Sequence, residues 1–203
     1  LKIYFQANGK ILGFTYPPEV AKKTNGKGEL DVCRIIVDHF KLDMAPEDFQ
    51  AQREVILEKT LENAEIFPHV EEVIRKFKDM GMPMALATSS GRNLHAKKTK
   101  NHRDIFSLFQ CEVCGSDVSH AKPSPEIFQL ASAKLGNYKP ENVLVFEDAP
   151  AGIKAANAAQ MPVVVYHKND QEFQEMLEHS GAKPTLVFDD YSKFDFSLFR
   201  FEP

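Results

Sequence analysis

Apolar positions along this chain follow two different spacings, and the change falls near residue 65. Before it the spacing is helical. Val32, Ile35, Ile36 and Phe40 stand at i, i+3, i+4 and i+8, one stripe down a helix. A second helix is predicted from Pro46 past Leu61, with Phe49, Ile56 and Leu57 facing inward. Between Tyr16 and Glu29 lie two prolines, two glycines and three lysines, a composition that reads as a loop. The opening segment has two readings. LKIYFQ and KILGF flank Asn8-Gly9 as in a hairpin, whereas Ile3, Tyr4, Ala7, Ile11 and Leu12 make a helical stripe. Local pattern alone favours the hairpin.

After residue 65 short apolar runs alternate with helical stripes. His69 to Met80 is predicted helical, with Val70, Val73, Ile74, Phe77 and Met80 on one face and Gly81 as its stop. PMALAT, FQCEVCG, NVLVFE and PVVVY read as short strands. Ser124 is expected to cap a helix beginning at Pro125, carrying Ile127, Leu130, Ala131 and Leu135 inward, and Pro150 to start one through Ala159. Continuous apolar strands separated by helices imply an α/β fold whose parallel sheet is covered on both faces. The division expected is 1–64 helical and 65–203 α/β.

Composition narrows the function classes. The chain has 203 residues, 43% hydrophobic and 27% charged, as in ordinary globular proteins. A formal charge of −4 with scattered lysines argues against a nucleic-acid polymer as partner. Lys97, Lys98 and Lys100 read as a solvated face. No apolar run is long enough to span a bilayer, and no secretory leader opens the chain, so a cytoplasmic location without membrane partners is expected. Three cysteines do not make a disulfide framework. The lone C-x-x-C at Cys111 and Cys114 reads as part of a buried strand rather than a metal or redox site.

Three polar clusters fall where strands end, and open parallel sheets bind ligands beyond those ends. PMALAT runs into Thr88-Ser89-Ser90-Gly91, whose hydroxyls and amides would cradle an anion at a helix N-terminus or serve only as a capped turn. NVLVFE ends in Glu147-Asp148. Adjacent carboxylates suit a magnesium ion, which takes one or two such ligands beside water and phosphate. Alternatively, Asp148 caps the next helix. Lys122, in Lys-Pro-Ser-Pro, is either a solvated lysine or a point charge for a phosphate.

Taken together, ALATSS, AKPSPEIF and VLVFEDAPAGIKAANAAQM resemble motifs two, three and four of the haloacid dehalogenase superfamily. Over nearly the whole chain the likeness is to its pseudouridine-5'-phosphatase and β-phosphoglucomutase-like members. The resemblance implies a Rossmann-like core with a helical cap inserted before motif two, and it turns the opening segment into the first cap helix. It implies that Thr88 and Lys122 hold the phosphoryl group, assisted by Ser89, and that Asp148 binds Mg2+ with help from Glu147. The expected activity is hydrolysis of a small sugar or nucleotide phosphomonoester, pseudouridine 5'-phosphate among the candidates, by a monomer. A phosphomutase of the same fold and a non-catalytic interaction protein are the alternatives. Lys22, Lys23, Asn25 and Lys27 are candidates for substrate contact in the cap, or else a solvated loop.

One element of the family pattern is missing. Its first motif, D-x-D at the end of the central strand, supplies a nucleophilic aspartate and an acid-base partner. The twelve aspartates of this chain include no pair separated by a single residue. The expectation is therefore a core without its motif-one strand, truncated rather than naturally lost, and inactive as it stands.

Overall fold

The computed structural model describes residue 8 and residues 11–13, 16–24, 27–61 and 65–200. Within these, Asn8, Ile11 and Leu12 are helical, in keeping with the helix reading of the opening; Ile3, Tyr4 and Ala7 lie outside the described residues. The stretch read as a loop between Tyr16 and Glu29 contains a helix, α1 (Pro18–Thr24). Proline fixes the φ that a first helical turn needs, and Val20 and Ala21 are buried, so the prolines here begin a helix instead of preventing one.

Two longer helices follow, α2 (Glu29–Phe40) and α3 (Pro46–Leu61). The buried centre of α2 is Cys33, Ile36 and Val37, with Val32 and Phe40 at its margin. These residues join Tyr16, Val20, Ala21 and Phe49 in one apolar cluster. Farther along α3, Leu57 and Leu61 pack on Leu94, which ties the helical region to the rest of the molecule.

The α/β part begins with α4 (Val70–Asp79), whose Val73 and Phe77 are buried, and Gly81 takes a φ of +74° just beyond it. Then come β1 (Ala85–Thr88), α5 (Arg92–Thr99), the short α6 (Arg103–Phe106) and β2 (Cys111–Cys114). They are followed by α7 (Glu126–Leu135), β3 (Val145–Glu147), α8 (Pro150–Ala158), β4 (Val163–Tyr166), α9 (Gln171–Ser180) and β5 (Leu186–Phe188). Helix α7 starts one residue later than expected, while the Ser124 hydroxyl accepts the Glu126 amide at 3.3 Å. Cys111 and Cys114 lie on β2 as free thiols.

All strand pairings are parallel, as the apolar runs imply. They form two sheets rather than one: β1 pairs with β2, and β3, β4 and β5 pair in that order. Among the described residues no ladder joins β1 to β3. The layers nevertheless continue across the break. Val163 and Val165 face one cluster with Ile127, Ile153 and Phe173, and Ala85 and Ala87 pack against it. Val164 points the other way, into a cluster with Val73, Phe77 and Phe194 that also takes in Met84 and Phe146. Helices and aromatics therefore cover both faces, which is why PVVVY shows no polar alternation.

Candidate active site

The carboxyl ends of β1 and β3 meet at one side chain. Lys122 sits between β2 and α7, and its Nζ donates to the Ala87 carbonyl at 3.3 Å and to the Glu147 carboxylate. Both partners of this ion pair are almost fully buried, at 8% and 9% side-chain exposure. The ammonium also lies 4.7 Å from the centre of the Phe128 ring on α7, a cation–π contact. The Lys122–Pro123 peptide is cis. Lys122 is thus a built-in group of the core, not a solvated lysine.

Glu147 is held equally firmly. Its Oε2 accepts the Asp148 amide at 3.2 Å. The carboxylate lies against Gly152 in the first turn of α8, where any Cβ would overlap it. Asp148 is exposed and does not cap α8: the cap residue is Ala149, without a side-chain hydrogen bond, and Pro150 opens the helix. Tyr191 lies close enough for the Asp148 charge to act on it. Burial first, then that charge, pushes its hydroxyl up to about 12.

After β1 the Thr88 hydroxyl accepts the Ser90 amide at 3.2 Å and shapes the turn. Gly91 stands at the N-cap of α5, and side chains meet the amides here: the Glu29 carboxylate accepts that of Gly91, and the Ser116 hydroxyl accepts that of Arg92 at 3.4 Å. The loop after β2 braces this turn. Gly115 donates its amide to the Ser90 carbonyl at 2.9 Å, and a Cβ on it would strike the Ser89 carbonyl. Arg92 pairs with Asp117, whose carboxyl is held below the usual range first by the Cys114 amide and also by Arg92. Lys98 is not simply solvated: its ammonium donates to the Ser90 hydroxyl at 2.6 Å.

A cavity of about 300 Å³ opens beside this turn. Ser89, Gly91, Gly115 and Lys122 line it from the core, and Glu29 and Gln50 from α2 and α3. Thr88 and Asp148 border the same strand ends without lining the cavity. Of the cap candidates, Lys23 and Lys27 are exposed; Asn25 and the Lys22 side chain fall outside the described residues.

Glu147 is committed to Lys122, while Asp148 is exposed and open to a cation. Among the described residues no group of three potential metal ligands occurs. Magnesium requires near-octahedral oxygen coordination, and these side chains alone do not supply it.

The profile of haloacid dehalogenase-like hydrolases matches residues 19–160. A Drosophila melanogaster protein named probable pseudouridine-5'-phosphatase is 39% identical over 171 residues, covering 81% of this chain and 74% of the relative. The chain belongs to the haloacid dehalogenase-like hydrolase family. A further family relative, a (DL)-glycerol-3-phosphatase of Arabidopsis thaliana, is 32% identical over 173 residues; the match covers 81% of this chain and 58% of the relative. A crystal structure of β-phosphoglucomutase from Clostridium difficile superposes with a TM-score of 0.77 at 20% identity, over 97% of this chain and 86% of that one. That likeness is one of fold alone.

Sequence reading found the three clusters but not the groups that position them. Gly115, the Arg92–Asp117 pair, Tyr191 and Glu29 carried no motif that set them apart, and Gly152, inside the last motif, carried no assigned role. The available signal was a glycine directly after a strand or in a first helical turn, where a neighbour needs the space of a Cβ.

Proposed function

We propose that this protein binds, and in its catalytically complete form hydrolyses, a small phosphomonoester at the carboxyl ends of β1 and β3. The single observation that carries the reading is the placement of Lys122. It holds a buried cation where β1 ends, between the Thr88–Gly91 turn and the Glu147–Asp148 pair. Two of its three ammonium hydrogens are engaged, and the third would meet a phosphoryl oxygen. Ser89 would hold a further oxygen, with the Thr88 hydroxyl beside it and the positive end of α5 favouring the negative charge. A phosphoryl group gathers negative charge as it transfers, so fixed positive groups in a partly dry site favour it. Asp148 would be one ligand of Mg2+, whose remaining protein ligands the described residues do not supply. The names of the Drosophila and Arabidopsis relatives support phosphomonoesters as the substrate class.

The nucleophile is the group this sequence does not contain, since no D-x-D occurs in it. Binding is therefore the proper test. Inorganic phosphate titrated into the chain should bind. Lys122→Gln, paired with Glu147→Gln to avoid an unpaired buried charge, should weaken that binding at least about tenfold, the effect of losing one charge-assisted bond. Equal affinity in the double variant would remove Lys122 from the site.

A further inference from the structure

Ser90 lies in the middle of the turn between β1 and α5 and is buried, 7% exposed. Its amide donates to the Thr88 hydroxyl at 3.2 Å, and its carbonyl accepts the Gly115 amide at 2.9 Å. Its hydroxyl accepts the Lys98 ammonium at 2.6 Å. The cavity is lined by the residues on either side, Ser89 and Gly91, and not by Ser90 or Lys98. Peptide units are planar, so holding the amide and carbonyl of Ser90 also sets the Ser89 carbonyl and the Gly91 amide. Ser90 is thus the back of the turn whose front would meet a phosphoryl group.

Two of these anchors are backbone groups or close neighbours, but the third comes from eight residues on. Lys98 stands in the last turn of α5. Helical side chains lean toward the N-terminus of their helix, which brings the ammonium back along α5 to Ser90. That end of α5 is the positive one, so the helix itself gives a lysine no reason to point there. The turn does. The Ser90 hydroxyl takes one N–H in a charge-assisted bond, roughly twice as strong as a neutral one. The Glu29 carboxylate, which accepts the Gly91 amide, is near enough for the Lys98 charge to act on it. With its hydroxyl held as well, every polar group of Ser90 has a fixed partner before any ligand arrives.

We infer that Lys98 is a positioning residue: acting through Ser90, it holds the Thr88–Gly91 turn in the shape that receives a phosphoryl group. It does so without touching the bound group. Its contribution is the freedom of the turn that binding would otherwise have to remove. The inference rests on the phosphomonoester reading of the site.

The test is a double-mutant cycle on the whole chain, read by affinity for inorganic phosphate, with each variant first shown to melt cooperatively. Lys98→Met should weaken binding about tenfold, and Lys98→Arg, which keeps a charged donor, should recover most of the loss. In a Ser90→Ala background the ammonium has no hydroxyl to hold, so adding Lys98→Met should change affinity by less than about twofold. Lys100→Met removes the same charge at the far end of α5 and should stay within about twofold of the parent. Lys98→Gln takes the place of Lys98→Met if the methionine variant does not melt cooperatively. An equal loss from Lys98→Met in both backgrounds means a charge acting through space, and it overturns the positioning role. Unchanged affinity in Lys98→Met overturns that role too and leaves the phosphate site standing. Failure of the unaltered chain to bind inorganic phosphate overturns the phosphate site, and this inference with it.

Discussion

Lys122 and Glu147, 25 positions apart in sequence, form a buried ion pair that links the end of β1 to the end of β3. The two strands belong to different sheets, and the pair spans the break between them together with the bond from Lys122 to Ala87. Burying two charges is favourable only when each keeps its partner.

Removing one partner should therefore be costly and removing both should not. Glu147→Leu or Lys122→Met alone should lower stability by about 3–5 kcal/mol, and the double change should recover most of the loss. Urea unfolding of the four proteins checks this. Single losses under about 1 kcal/mol would mean that the pair contributes little to holding β1 and β3 together.

Gly152 reserves the space that the Glu147 carboxylate occupies. Gly152→Ala should displace it and cost about 1–3 kcal/mol, the range for overpacking, although alanine is the better helix former. A thermal melt of the variant that matches or exceeds the parent contradicts this packing.

Glu29 gives stability an opposite pH dependence from that of a paired carboxylate. Its folded pKa lies above the ordinary value of 4.5, so the native state binds more protons than the unfolded chain between those two values. Stability falls as pH rises through that window, and the penalty is complete above it. Glu29→Gln should therefore be more stable than the parent at neutral pH, with the difference shrinking as pH falls through that window and gone below the ordinary value. Melting temperatures measured across pH test the sign. A variant less stable at neutral pH would show that the charge is well compensated.

Magnesium should bind the chain weakly, because Glu147 is engaged and no group of three potential metal ligands occurs among the described residues. Tight binding by calorimetry would show donors that the described residues do not provide.

Turnover of phosphomonoesters should not exceed background in the chain as it stands. Joining an upstream strand that carries D-x-D should restore it, and Lys122→Ala in that form should lower kcat by about 100-fold or more. Robust hydrolysis by the unextended chain would point to a different nucleophile.

Much of this architecture was legible in sequence because burial leaves a local trace. A strand covered on both faces must be apolar throughout, so PMALAT, NVLVFE and PVVVY announced a parallel α/β core, and the stripe on α4 announced its helix. Local chemistry likewise marked Thr88 and Asp148 at the ends of apolar runs, and Lys122 just before a proline-fixed helix start. The stretch between Tyr16 and Glu29 was misread for the same reason. Its prolines and glycines outweighed Val20 and Ala21 in composition, while packing against Ile36 and Phe49 favoured a helix.

What sequence determined by itself is the set of residues with the right chemistry, the order of the elements and the lack of a D-x-D nucleophile. Tertiary structure alone decided which charges meet. Glu147, read as a metal ligand, is paired with Lys122, and Asp148, read as a possible helix cap, stands open. Glu29, unremarked in sequence, shares a cavity with Lys122. Hydrophobic periodicity records how deeply each position is buried, but it carries no information on partners across a fold. Ion pairs and cavities form where loops bring distant elements together, and their energies depend on a few ångströms that no local pattern encodes.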